Sequence, residues 1–363
     1  MNNNAINPVA PNELIDLAQV ALAADAFLYI VGSGGAGKTS IVMHDIAPAL
    51  KRRPYYVNLC GQGPQEVIGY GLPQSNGDMK FAAPDIWPTF DRVGDEPILL
   101  FLDEFPDYDP AVRALLRSLY PASGSRYVGP HKLGSDVFIV VAGNRRQDGT
   151  KAQVEDAPFT NRCVKCTIEP SIPAWLDWYD KQAGLKAAGS HVPAFLKFGN
   201  GEAVGSGTDY FNPPIAQPDD GAPHPTPRSW EKVCLAEPIR KTSPQTFLKF
   251  AKGTVGDRAA LAYCAFLQHV DHLPDIGKLK ADPDSYNVPS DPATQYALVS
   301  ACLNTATSGV RDIPAAVHAG GFDWLVSLLL RCRGDIREYG ARSAVRRGIP
   351  LDEHPQSNKL VIA

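Results

Sequence analysis

Net charge is nearly absent: 35 Lys and Arg stand against 39 Asp and Glu, leaving −4 over 363 residues. A dedicated nucleic-acid binder carries a strongly basic footprint that these totals lack, so only a local basic patch stays open. No apolar stretch approaches the roughly 18 residues that cross a bilayer, and no membrane-spanning helix is expected. The start, Met1 to Pro8, has no positively charged leader, which makes a cytoplasmic location the expectation. The cysteines are an odd seven, scattered at 60, 163, 166, 234, 264, 302 and 332, a spacing that gives no disulfide framework and reads as reduced thiols. Internal repeats are lacking too, which excludes a solenoid or propeller.

What is present fits a chain of about two domains, taking roughly 100 to 200 residues for each. Asn12 to Ala24 place Leu14, Leu17, Ala18, Ala21 and Leu22 at helical spacing behind an Asn able to cap. Ala26 to Val31 reads as a buried strand, and Ser40 to Leu50 as a helix. Tyr55 to Leu59, Ile98 to Leu102 and Val137 to Val141 are further apolar runs bounded by turn residues, which predicts a mostly parallel sheet. Between the last two, Asp109 and Pro110 open a helix with Val112, Leu115, Leu116 and Leu119 on one face. Residues 1–170 therefore read as α/β. Residues 171–363 read as helical, interrupted by a Gly/Pro-rich loop at 199–227 and ending in a loose tail from Asp352.

Between the first strand and its helix lies Gly32-Ser-Gly34-Gly35-Ala36-Gly37-Lys38-Thr39, followed by Ser40. Glycines let backbone N–H groups approach phosphate oxygens, and the helix N-terminus adds partial positive charge. Lys38 suits the β- and γ-phosphates, and the Thr39 hydroxyl suits Mg²⁺. Gly32-x-Gly34-x-x-Gly37 also matches the dinucleotide fingerprint. A dinucleotide fold needs an acidic residue near the end of its second strand, but that stretch reads Tyr55-Tyr-Val-Asn-Leu-Cys60 and leaves Lys38 and Thr39 without purpose.

The run Ile98 to Leu102 ends in Asp103-Glu104, two carboxylates where an open α/β sheet presents its ligand-binding residues. Asp103 is assigned to Mg²⁺ and Glu104 to the attacking water, since hydrolysis needs a base beside the γ-phosphate. Val140-Val-Ala-Gly-Asn144 is a second strand with an amide just past it, placing Asn144 to orient the water; a plain Gly-Asn turn is the alternative.

Taken in order, the phosphate loop, Phe101-Leu-Asp-Glu104, Ala142-Gly-Asn-Arg145, Pro158-Phe-Thr-Asn-Arg162 and Pro227-Arg-Ser-Trp-Glu231 resemble the AAA+ ATPases of the MoxR-like branch. The resemblance spans about Asn12 to Leu235. It implies an αβα P-loop NTPase core with a parallel sheet, followed by a helical lid and a C-terminal helical region. It implies ATP as the nucleotide, Asp103-Glu104 as Walker B and Asn144 as sensor 1. Arg162 corresponds to the arginine finger that acts in trans on a neighbouring subunit's nucleotide, and Arg228 to sensor 2. A ring follows, hexameric by resemblance, which remodels a protein client, frequently one with a von Willebrand factor A domain. The Tyr70 to Pro84 stretch, read as a hairpin about a Ser-Asn-Gly-Asp turn, corresponds to a pore-facing insertion that contacts the client. Departures from the family are Gly34 where many relatives have Pro, Cys163 where Phe is usual, and the long loop before Arg228.

Other signals are weaker. Cys163 and Cys166 lie three apart in an extended stretch, hence on opposite faces, and have no second pair for zinc. His269 and His272 share a helical face without a third ligand. Arg331, Arg333, Arg337, Arg342, Arg346 and Arg347 outnumber Asp335 and Glu338, and a solvated or intersubunit face is expected there. Binding of nucleic acid to that stretch defines the alternative function, a nucleic-acid-directed motor or helicase loader. A non-hydrolysing nucleotide switch is the third.

Overall fold

A computed structural model describes residues 8–11, 13–120, 124–144, 159, 161–199, 209–212, 222–273, 275–307 and 319–360. The chain divides into two compact units, one up to Pro170 and one from Ser171.

The first unit is built on a parallel sheet of six strands. In chain order its members are β1 Pro8–Val9, β2 Phe27–Gly32, β3 Arg53–Asn58, β6 Ile98–Asp103, β9 Val137–Asn144 and β10 Cys163–Ile168. Their spatial order is β1-β10-β2-β9-β6-β3, with every neighbouring pair parallel. Parallel strands covered on both sides read as unbroken apolar runs. That is why Phe27–Gly32 and Ile98–Asp103 are buried at every position. Alternate residues feed two cores: Tyr29, Leu100 and Val141 on one face, and Leu28, Ile30, Phe101, Val140 and Cys166 on the other. This is the mostly parallel α/β sheet expected from the sequence. The order sets the phosphate-loop strand β2 beside β9, and β9 beside the Asp-Glu strand β6.

Some local expectations shift. The helix read from Ser40 to Leu50 begins two residues earlier, running Lys38–Ile41, Val42–Ile46 with π-type hydrogen bonding, then Ala47–Ala49. The run at Tyr55 is a strand, but at the sheet edge: within Arg53–Asn58 only Val57 is buried, and Tyr56 is 47 % exposed. Asp109 accepts from the Ala111 N–H and opens the helix Pro110–Leu115 as read, with Pro at its first position. That helix tightens into a 3₁₀ turn over Leu116–Leu119, so Val112, Leu116 and Leu119 are buried while Leu115 is only partly so. The capping role given to Asn12 lies outside the described residues. The hairpin is present, β4 Gly71–Pro73 antiparallel to β5 Met79–Phe81. A second one, β7 Tyr127–Val128 with β8 His131–Lys132, was not anticipated.

The second unit is helical among its described residues. Its core gathers Phe195, Trp230, Phe247 and Tyr263. Glu237 is buried there and receives the Ser190 and Tyr263 hydroxyls, the His191 N–H at 3.0 Å and the His191 ring at 2.8 Å. Burial raises a carboxyl's pKa, but these donors outweigh it and hold Glu237 below its ordinary 4.5. A depressed folded pKa means the contribution is complete above the unfolded value and is lost as pH falls through the folded one. Thermal unfolding should therefore show the second unit weakening below about pH 4.5. Glu237→Ala should destabilise it by about 3 to 5 kcal/mol at neutral pH, having removed one side of a buried pair, and should flatten that acid dependence.

Of the C-terminal arginines, Arg331, Arg333 and Arg342 are exposed, as a solvated face requires, and Arg347 departs from that expectation. Arg347 is buried with its Nε 2.8 Å from Asp180, which also takes the Arg346 Nε at 2.9 Å. Arg331 donates to the Tyr286 carbonyl at 2.7 Å. Charge counting along the chain registers a basic surplus, while tertiary structure turns part of it inward to anchor helices. No helix of the described residues is long and apolar enough to cross a membrane.

Candidate active site

Three neighbouring strands end at one edge of the sheet, and their last residues meet. Register aligns Gly32 at the end of β2 with Asn144 at the end of β9, and Asp103 of β6 with Asn58 of β3. Gly32 is required by close approach: a Cβ there would lie 2.6 Å from the Ile168 side chain and 3.0 Å from its carbonyl. Gly37 closes the loop at φ +87°, left-handed backbone that an L side chain resists, and so starts the helix at Lys38. Gly34, by contrast, faces open space, so its departure from the proline of relatives disturbs no packing.

Lys38 is buried, and its Nζ donates to the carbonyls of Gly32 at 3.0 Å and Ser33 at 2.9 Å and to Asn144 Oδ1 at 2.9 Å. One ammonium thus ties the loop to β9. Thr39 Oγ1 donates to Asp103 Oδ2 at 2.7 Å, tying the helix start to β6. Asp103 is itself 7 % exposed. A hydroxyl and a carboxylate side by side supply the hard oxygen donors that Mg²⁺ prefers, and they leave its remaining positions to water and phosphate. Thr39 and Asp103 therefore fit that ion.

Glu104 follows, exposed, at φ +56°. A non-glycine residue held there carries strain of order 1 to 3 kcal/mol, which is met when the surroundings fix it. Its N–H donates to Asp103 Oδ1 at 3.0 Å, and its Oε2 accepts from Asn58 Nδ2 at 3.1 Å and from the Cys60 thiol at 3.5 Å. The sequence gives Asn58 and Cys60 no role beside Glu104, marking their stretch as an apolar strand without an acid and Cys60 as a reduced thiol. The available signal was parallel order itself, which sets the polar end of the next strand beside the Asp-Glu pair. Glu104 also acts outward: burial together with its charge raises the pKa of Asp107.

Arg162 is exposed in the turn entering β10, its N–H donating to the Phe159 carbonyl at 3.0 Å. Phe159 is buried against Phe27, Tyr29, Phe105 and Tyr120, which anchors the turn. Cys163 pairs with Phe27 and Ile168 with Gly32, so Arg162 sits at the opposite end of the strands from the phosphate loop. At about 3.3 Å per residue, the six steps from Arg162 to Ile168 put it roughly 20 Å along the strand from the level of Gly32. Arg228 lies, exposed, in the first turn of the helix Pro227–Ala236, which Thr226 caps by accepting from the Ser229 N–H at 3.1 Å. Arg145 and Arg146 are outside the described residues, as is most of 199–227.

Cys163 packs against one sheet core and Cys166 is buried in the other, as their spacing required. No group of three His, Cys, Asp or Glu suited to a metal occurs among the described residues. His269 instead lies 3.1 Å from the Thr294 hydroxyl.

No protein-family model and no curated protein matches the chain. Among solved structures, the RuvB Holliday junction branch migration motor of Thermotoga maritima is similar at 14% identity over 75% of this chain and 74% of its own, with a TM-score of 0.37. NtrX from Brucella abortus, in complex with ATP, is similar at 15% identity over 80% and 62%, with a TM-score of 0.38. Similarity this distant carries no argument about activity or partner.

Proposed function

We propose that this chain is an AAA+ ATPase of the MoxR-like kind, hydrolysing ATP with Mg²⁺ in a ring, hexameric by resemblance, that remodels a protein partner. The observation that supports it best is the pair of bonds Lys38–Asn144 and Thr39–Asp103, which gather the phosphate loop, the sensor amide and the cation carboxylate at adjacent strand ends. The backbone N–H groups from Gly34 to Ser40 and the Lys38 ammonium bind the phosphates. Thr39 and Asp103 would hold Mg²⁺, which when bound would supply positive charge to the phosphate oxygens. Asn144 orients the attacking water and Glu104 takes its proton. Arg162, too far along the strands to serve its own loop, supplies its guanidinium to a neighbour's site. Arg228 acts as sensor 2 from the helical lid.

Exposed Tyr70, Leu72 and Met79 give the β4–β5 hairpin an apolar surface suited to a protein client, such as one with a von Willebrand factor A domain. The alternative of a nucleic-acid motor loses only the charge of Arg346 and Arg347, which Asp180 engages, while Arg331, Arg333 and Arg342 are exposed.

Lys38→Ala should weaken ATP binding about 10- to 100-fold, the loss of one charge-assisted contact, as read by titration with a fluorescent ATP analogue. Unchanged affinity would contradict the phosphate role. For the partner, tagged Glu104→Gln held with ATP should retain a specific protein from native cells; nuclease-sensitive nucleic acid in its place would favour the motor.

A further inference from the structure

Glu104 opens a turn whose next two residues touch other parts of the machinery. Its carbonyl accepts the Asp107 N–H at 2.9 Å, closing the 3₁₀ turn Phe105–Asp107, so the base and the turn form one piece. Pro106 lies against β9 beside Asn144: a Cβ on Gly143 would stand 2.5 Å from its ring. Phe105 lays its ring on that of Phe159, both buried, with centroids 4.9 Å apart and planes 17° from parallel. That contact is closer and flatter than those Phe159 makes with Phe27, Tyr29 and Tyr120, each at 5.5 Å. The Phe159 carbonyl in turn accepts the Arg162 N–H at 3.0 Å. Packed contacts thus run from Glu104, at the phosphate-loop end of the sheet, to Arg162 at the other.

We infer that Phe105 is a positioning residue for Arg162: its stack on Phe159 couples the turn behind one subunit's base to the finger that this subunit lends its neighbour. This rests on Arg162 acting in trans, as proposed above. Rings in a close-packed core have no free space in which to slide, so displacing one displaces the ring it lies on. Stacked faces also attract beyond the area they bury, which an aliphatic side chain of similar size does not reproduce. A shift of the turn at 104–107 therefore reaches Arg162 through Phe159. The neighbour's γ-phosphate senses the state of this subunit's site by that route.

Two readouts test the link. Cys163 follows Arg162, is partly buried and packs on the same core, so its alkylation by iodoacetamide, read by peptide-resolved mass spectrometry, reports on the turn without need of turnover. Phe105→Leu should speed alkylation of Cys163 about three- to tenfold by loosening that turn, while Cys166, buried in the opposite core, keeps its rate. An unchanged Cys163 rate, or equal acceleration of both thiols, overturns the link whatever the ATPase result. For turnover, Lys38→Ala subunits keep the finger without a working site, and Arg162→Ala subunits keep the site without a finger, so mixing them isolates one finger acting on its neighbour. Phe105→Leu added to the Lys38→Ala subunit should lower turnover of the mixture about 10- to 100-fold with KM for ATP unchanged, the cost of a guanidinium displaced by about 1 Å. Phe105 can act there only across the boundary, because its own subunit's site is inactive. Adding Phe159→Leu to that subunit as well should lower turnover no further, since both rings serve one stack. Unchanged turnover with Phe105→Leu, or losses that multiply, overturns the coupling. If Cys163 responds to Phe105→Leu but the assembled wild type hydrolyses no ATP, the link stands and the ATPase reading fails.

Discussion

Arg162→Ala should bind ATP and assemble like the wild type yet hydrolyse about 10³- to 10⁵-fold more slowly, the worth of a supplied guanidinium in phosphoryl transfer. The transition state spreads charge over the γ-phosphoryl oxygens, and a cation placed against them lowers the barrier without tightening ground-state binding. The proposed role in trans fits the position of Arg162. Arg162 follows a turn anchored by Phe159 in an aromatic cluster, at the strand ends remote from its own Gly32. Mixing experiments add a second reading: Arg162→Ala subunits mixed with Lys38→Ala subunits should recover turnover, because one supplies the intact loop and the other the intact finger. Wild-type turnover in Arg162→Ala would place the finger elsewhere, with Arg145 and Arg146 next in order.

Glu104→Gln should keep nucleotide binding and lose about 10²- to 10⁴-fold in turnover, the usual contribution of a positioned general base. A carboxamide matches the carboxylate in size and still offers an oxygen to Asn58 Nδ2, so the αL turn and the Asp103 contact should survive. Single-turnover measurement of bound ATP separates this from lost affinity: the variant should hold ATP uncleaved. Turnover that survives would mean that another group activates the water.

Much of this site was legible in the chain because its parts sit at the ends of apolar runs. Gly32 to Thr39, Asp103-Glu104 and Asn144 each follow a strand that burial on both faces makes continuous in sequence. The edge strand β3 was harder to read for its role. Its apolar run predicted a strand without saying where in the sheet it lies, and exposure of Tyr56 marks it as the edge. Asn58 and Cys60 gained meaning only from register, since nothing local marks a polar residue as the neighbour of a carboxylate 46 positions on. The inward turn of Arg346 and Arg347 was hidden for the same reason. Asp180, which buries against Arg346 and Arg347, is more than 160 positions away, so local charge counting treats inward anchors as surface.

The most direct measurement is phosphate release from ATP and Mg²⁺ as a function of protein concentration, wild type beside Glu104→Gln. A shared site predicts that turnover per subunit rises with concentration as assembly completes, then levels off, with the variant flat throughout. No phosphate release by a fully assembled wild type with nucleotide bound would contradict the account and leave a nucleotide-dependent switch in its place.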